Sequence, residues 1–205
     1  GFGEHNIQGI GDKHIPLVQN VMNTDIVTAV SDKSCDRLNV LFNTEVGKDY
    51  LINRRKLNPN MVNTLAKLGL SGIANVLAAI KTARLLNLAE NNAVITVATD
   101  SGELYTSERV FTESKIFPDG FDQVSAGETY AQHLLGLDND HILETTKRDR
   151  NRIFNLGYYT WVEQQNISVE NFESRREQTF WQDLHKLLPT WDTMIQEFNQ
   201  RAAVV

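Results

Sequence analysis

Two short runs of apolar, mostly β-branched residues constrain the fold of this chain more than any other feature. They cover residues 26–30 and 94–98, and neither alternates polar with apolar residues. Strands that are buried on both faces of a parallel sheet have this pattern. Each run is followed by polar residues and then by helix-like sequence. The alternation of strand and helix predicts an α/β sheet.

Helices are predicted after and between these two runs. Ser31 and Asp32 are good N-cap residue types, and an apolar pattern continues from them through Phe42. A second helix is predicted over residues 59–68, ended by the glycine that follows. The clearest helix covers residues 72–88, where apolar side chains recur at helical spacing.

Beyond about residue 118 the strand signals end, so we expect residues 119–205 to form an α-helical C-terminal extension. A capping box is predicted at residues 125–128, a helix from near residue 140 to Gly157, and another helix capped by Ser168. The tail is predicted to form two successive helices, broken at Pro189. Its apolar side chains share one side: Phe180, Leu184, Leu187, Leu188, Trp191, Ile195 and Phe198.

Three loop segments are candidates for ligand contact. The chain opens with four glycines in eleven residues, which favours a backbone that approaches a ligand closely, although the spacing excludes a Gly-x-Gly-x-x-Gly dinucleotide motif. In an α/β sheet, ligands bind where strands lead into helices, which selects residues 9–11, 69–72 and 100–103. The simpler alternatives are an N-cap for Ser71 and a self-satisfied turn for residues 100–103.

These segments carry a family resemblance. His5-Asn-Ile-Gln-Gly-Ile-Gly11, Gly69-Leu-Ser-Gly-Ile-Ala-Asn75 and Thr99-Asp-Ser-Gly-Glu-Leu-Tyr105 stand in order along the first half of the chain. They resemble motifs in the C-terminal half of fold-type-II enzymes that depend on pyridoxal 5'-phosphate (PLP), the cysteine synthase-like and tryptophan synthase β superfamily. The chain departs from the cysteine synthases at Gly72, where they have a second serine, and at Leu104, where they have arginine.

The resemblance implies a fold, a cofactor and a set of site residues. It implies a three-layer αβα fold with a mostly parallel sheet, in which residues 1–118 are the C-terminal part of the catalytic core. The expected reaction is β-elimination or β-replacement on a small amino acid. Ser71 would face the pyridine nitrogen of PLP, and Gln8 would lie on the substrate side. The expected cofactor-binding residues are Ser71, Gly9, Ile10, Gly11, Asp100 and Ser101.

The resemblance also implies a partner. The Schiff-base lysine and the glycine-rich phosphate loop of the family do not occur in this sequence, so no catalytic residue is assigned to this chain. We expect both in an N-terminal half of the same enzyme, supplied as a cleaved or separate chain, with the complete unit forming a homodimer. The alternative is a non-catalytic or regulatory partner subunit with a degenerate PLP-enzyme half-fold.

Composition and local sequence patterns argue against several other classes of protein. A net charge of −6 argues against nucleic-acid binding. No apolar stretch or leader pattern predicts a membrane span or a signal peptide. The single cysteine, Cys35, favours a reducing, cytoplasmic compartment and a buried structural role. The five histidines show no metal-ligand spacing, so we expect no metal site.

Overall fold

The structure is a computed structural model, and it describes residues 5–7, 10–11 and 14–202. Helices dominate these residues. The α-helices are α1 (Asp32–Asn43), α2 (Glu45–Asp49), α3 (Pro59–Leu65), α4 (Leu70–Leu85), α5 (Thr106–Ile116), α6 (Gln123–Tyr130), α7 (Lys147–Asn155), α8 (Val169–Ser174), α9 (Gln178–His185) and α10 (Leu188–Arg201). The strands are β1 (Ile26–Thr28) and β2 (Ile142–Glu144), and short 3₁₀ or π-helical turns cover Val21–Asn23, Tyr50–Arg54, Gly102–Tyr105, Ala131–Leu135 and Tyr159–Gln164.

The predicted three-layer αβα fold with a mostly parallel sheet is wrong. Within the described residues the sheet consists of β1 and β2 alone, and this pair is antiparallel. The first apolar run does form β1, but residues 94–98 form no strand. A strand exists only where a neighbour satisfies its backbone groups, and no described segment lies beside residues 94–98 in that way. The prediction that strands end near residue 118 is also wrong, because β2 lies beyond that point.

Two compact units can be distinguished by their internal contacts. The first comprises Ile26–Leu143 with the described part of Gly1–Lys13, and α1 packs at its centre against α2, α4, α5 and α6. Cys35 is fully buried there, and burial is the main cause that raises the pKa of its thiol to about 12. The other fully or almost fully buried apolar side chains of this core include Leu38, Leu41, Leu51, Val62, Leu70, Ile73 and Leu77.

The second unit comprises His14–Asp25 and Glu144–Val205. Its small core contains Val21, Phe154 and Phe172, with the last two rings 4.6 Å apart between centroids. Trp161 is anchored beside this core, since its indole nitrogen donates a 2.7 Å hydrogen bond to the carbonyl of Ile15. The tail is less buried, and the apolar side chains of α10 are largely exposed.

Local sequence signals located several helices correctly. The predicted helix after Ser31 is α1, the helices over residues 59–68 and 72–88 correspond to α3 and α4, and the tail forms α9 and α10. Pro189 lies in the first turn of α10, and Ser168 caps α8 by accepting a hydrogen bond from the Asn171 amide, as predicted.

Three predicted helix starts are wrong. The helix expected from near residue 140 begins at Lys147, where Thr146 and Asp149 form a capping box, because β2 occupies the preceding segment. The capping box expected at residues 125–128 is replaced by Asp122, whose carboxylate accepts from the Ser125 amide. The N-cap of α4 is Gly69, so Ser71 lies inside the helix and is not its cap.

Among the described helices, none combines the length and apolar character that crossing a bilayer requires.

Candidate functional site

The first motif, residues 5–11, is attached to α1 at its described positions. The side-chain amide nitrogen of Asn6 donates a 2.6 Å hydrogen bond to Oδ1 of Asp36. Ile7 is buried in the core of the first unit. Burial raises the pKa of Asp36, while the hydrogen bond from Asn6 opposes that shift. Gly11 has a φ of +79°, a left-handed conformation in which glycine is favoured. The described part of this motif therefore packs against α1 through Asn6.

A cavity of about 530 Å³ opens beside this loop. Its described walls are four residues of the first motif, residues 27–32 at and after β1, and three residues of α4. The residues of the first motif are His5, Ile7, Ile10 and Gly11, and those of α4 are Ala74, Asn75 and Ala78. Most of the wall is apolar, with polar groups supplied by Ser31, Asp32 and Asn75 among others. This size and this mixture of apolar wall and few polar groups are typical of small-molecule sites.

Ser71 lies one helical turn before the part of α4 that lines the cavity. Positions 71, 74, 75 and 78 follow the i, i+3, i+4, i+7 pattern, so these residues share one face of the helix. The Ser71 side chain is buried, and its hydroxyl is 2.7 Å from that of Thr99. A hydroxyl that accepts from Thr99 retains its own hydrogen for donation to a ligand.

The third motif packs against the start of α4. The amide of Gly69 donates to the carbonyl of Asp100, and the amide of Gly102 donates to the carbonyl of Lys67. Both contacts require glycine: a β-carbon on Gly69 would lie 2.7 Å from the Asp100 carbonyl oxygen, and one on Gly102 would lie 2.6 Å from that of Ala66. The two segments therefore approach each other more closely than residues with side chains allow.

The polar side chains of this motif form hydrogen bonds within their own turn. Tyr105 donates a 2.6 Å hydrogen bond to Asp100, which lowers the pKa of the carboxyl and raises that of the phenol to about 12. The hydroxyl of Ser101 accepts from the amide of Glu103. Neither Asp100 nor Ser101 is among the described residues that line the cavity.

The structure thus brings together parts of all three motifs around the first half of α4. Ile10 and Gly11 line the cavity, Ser71 contacts Thr99, and Asn75 donates a 2.9 Å hydrogen bond to the carbonyl of Val97. The predicted residues Gln8 and Gly9 lie outside the described residues. Sequence reasoning did not assign Asn75 to the site, although its position one turn after Ser71 was a usable signal.

A second, more polar cavity of about 360 Å³ also lies in the first unit. Lys81 is buried there and donates hydrogen bonds to Asp140 at 2.8 Å and to the Ala29 carbonyl at 3.2 Å. His133 is buried as well, with its Nδ1 3.0 Å from the hydroxyl of Ser34. Burial, assisted by the positive charges of Arg37 and Lys33, lowers the pKa of His133 to about 4.

Comparison of the chain with protein-family models, curated proteins and solved structures gives no match.

Proposed function

We propose that this chain is part of a PLP-dependent enzyme that resembles cysteine synthase and catalyses β-elimination or β-replacement on a small amino acid. The observation that carries the proposal is that the first two motifs line one cavity and that the third packs against the second. The first motif shares the cavity wall with Ala74 and Asn75 of the second. Ser71 of the second motif contacts Thr99 of the third, and neither of these two residues is on the cavity wall. An arrangement of this kind is expected if all three segments serve one ligand.

The cavity is compatible with PLP in size and in wall chemistry. Its volume of about 530 Å³ lies within the range of cofactor sites, and Gly11, Ala74 and Ala78 leave room for a flat ring. Ser71 supplies a neutral hydroxyl near it. No lysine stands among the described residues that line the cavity, so the residue that would hold the cofactor covalently has to come from elsewhere.

PLP supplies an electron sink, and the protein tunes that chemistry through its contacts with the ring. We assign Ser71 to the pyridine nitrogen, where a neutral hydroxyl does not force protonation. Ile10 and Gly11, with Gly9, would pass along the ring, and Gln8 would face the amino-acid substrate. Asp100 and Ser101 would act through the turn that positions Thr99 beside Ser71.

The proposal includes a partner and a compartment. An N-terminal half of the enzyme, as a cleaved or separate chain, would supply the cofactor lysine and the phosphate loop, and the complete unit would form a homodimer. A free, fully buried cysteine is in keeping with a cytoplasmic location.

The reaction class is tested by supplying the complete enzyme with serine, O-acetylserine or cysteine in separate assays. We expect release of pyruvate or of a β-substituted product, with amino-group exchange to a keto acid much slower. Leu104 and Gly72 make O-acetylserine only one of several donors worth testing. If the enzyme exchanges amino groups and releases neither product, the assignment to this reaction class is wrong; if it binds no amino acid at all, the regulatory alternative is favoured.

Ser71→Ala tests the assigned contact in the same enzyme. Loss of one hydrogen bond costs about 0.5–1.5 kcal/mol, so we expect affinity for PLP, measured by fluorescence titration, to fall by about tenfold or less. Ser34→Ala is the matched control, because Ser34 also contacts another side chain, that of His133, but lies on α1 and lines the second cavity. Equal affinity in Ser71→Ala and in the unmodified enzyme would restrict Ser71 to a structural role.

A further inference from the structure

We propose that the second cavity of the first unit binds a free amino acid that has an aliphatic side chain. This cavity measures about 360 Å³, a size typical of small-molecule sites, and its described walls belong to the first unit alone. The groups assigned to the ligand below all line this second cavity. The proposal therefore goes beyond the proposed function and does not depend on it.

The walls of the second cavity carry balanced charges. Lys33 and Lys81 supply two positive charges, and Asp138 and Asp140 supply two negative ones. A simple anion would meet the two carboxylates, and a simple cation would meet the buried Lys81 ammonium, so each would lie near a like charge. His133 adds no charge at neutral pH, because burial lowers its pKa to about 4. A zwitterion, which carries one charge of each sign, suits these walls best.

Lys81 has a hydrogen-bond donor left for the carboxylate of such a ligand. Its side chain is only 4% exposed, although it lines the cavity. An ammonium group carries three donors, and among the described residues Lys81 uses two of them, on Asp140 and on the Ala29 carbonyl. A hydrogen bond between a charged donor and a carboxylate is stronger than one between neutral groups. We therefore assign the α-carboxylate of the amino acid to Lys81.

Asp138 supplies a partner for the α-ammonium group. Its Oδ1 accepts a 3.1 Å hydrogen bond from the Asp140 amide, and a carboxylate has room for further donors. Val30 and Leu137 line the same cavity and pack against the core, so they offer aliphatic surface to the ligand side chain. The walls thus contain a partner for each part of an aliphatic amino acid.

The second cavity shares part of its wall with the larger one, since residues 29–31 line both. A ligand in the second cavity would therefore contact a segment that also belongs to the larger cavity. The test has to separate the two cavities, which requires a measurement with a signal from each residue.

The test is a titration of the 205-residue chain, labelled with ¹⁵N, with L-leucine in two-dimensional NMR spectra. We expect saturable shifts of the amide signals of His133, Gly136 and Asp138, which belong to the second cavity. The amide signals of Ala74 and Asn75, in the larger cavity, should stay nearly unchanged. The absence of saturable shifts would overturn the proposal, as would shifts confined to Ala74 and Asn75.

Two analogues of leucine test the assigned charges. Leucinol lacks the carboxylate, and 2-hydroxy-4-methylpentanoate has a hydroxyl in place of the ammonium group. We expect each to bind at least about tenfold more weakly than leucine, because each loses a hydrogen bond between charged groups. Binding of either analogue with the affinity of leucine would contradict recognition of the zwitterion.

Asp138→Asn removes the negative charge but keeps an oxygen that can accept from the Asp140 amide, so we expect the fold to persist. Affinity for leucine should fall by about tenfold or more, while affinity for the hydroxy acid should not fall. Asp119→Asn is the matched control, because Asp119 is an exposed aspartate that is not among the described residues lining either cavity. Equal affinity for leucine in Asp138→Asn and in the control would overturn the proposal.

Discussion

Gly102 shows how a single residue sets the geometry of the candidate site. Its amide donates to the Lys67 carbonyl, and an added β-carbon would lie 2.6 Å from the Ala66 carbonyl oxygen and 2.9 Å from that of Leu68. Backbone atoms at such distances cannot move aside as the end of a flexible side chain does. The pairing of the third motif with the segment before α4 therefore depends on glycine at this position.

Gly102→Ala is expected to destabilise the fold by about 1–3 kcal/mol, the usual cost of forcing extra atoms into a packed region. Gly127→Ala is the control, because its β-carbon would meet only the Tyr50 ring, at 3.6 Å, and alanine favours the helix α6. We expect that control to be neutral or stabilising by up to about 1 kcal/mol. Urea unfolding of both variants checks the difference; equal stabilities would contradict the close approach.

His133 gives the fold a pH dependence. Its folded-state pKa of about 4 lies below the ordinary value of 6.5, so the unfolded chain binds more protons between these two values. Stability is therefore fully present above about pH 6.5 and falls as the pH decreases towards 4, by on the order of 3 kcal/mol at most. In His133→Gln the slope of unfolding free energy against pH should be smaller in this window, while Asp36 and the other acidic groups remain in both chains. Parallel curves for the two chains would show that His133 does not titrate as described.

At the scale of secondary structure, most of the helices could be predicted from the sequence, but α2, α5 and the pairing of the strands could not. Helical periodicity and caps are local, and they correctly identified α1, α4 and α10. A strand depends on its neighbour, which no local pattern contains, and so residues 94–98 looked like a buried strand but are exposed. The candidate site shows the same difference between local and non-local signals. Ser71 was identified from its motif, but the hydrogen bond from Asn75 to the Val97 carbonyl joins segments that only the fold brings together.

The ion pair between Lys81 and Asp140 connects α4 with the loop before β2. Asp140→Asn should lower the melting temperature, because the buried Lys81 ammonium would then lose its negatively charged partner and keep only neutral acceptors such as the Ala29 carbonyl. Adding Lys81→Met to that variant removes the unpaired charge and should recover part of the loss. Asp119→Asn, at an exposed aspartate, is the control and should leave the melting temperature unchanged. A double variant that melts below Asp140→Asn would contradict this account.

At the scale of the whole molecule, the first unit combines a built cavity with an uncovered apolar segment. The first two motifs line the cavity and the third packs against the second, while residues 93–99 are exposed. The proposed function requires a partner that carries the cofactor lysine, since no lysine stands among the described residues of the cavity wall. The central claim is that this chain contributes cofactor contacts to an enzyme whose cofactor lysine belongs to that partner.

Locating the covalently held cofactor tests this claim most directly. Borohydride reduction fixes lysine-bound PLP in place, and peptide mass mapping then identifies the labelled lysine. In the chain mixed with its lysine-bearing partner, we expect the label on the partner and none on this chain, and the chain alone with PLP should remain unlabelled. A label on a lysine of this chain, including Lys13, which lies outside the described residues, would contradict the account, because the chain would then be the cofactor carrier itself.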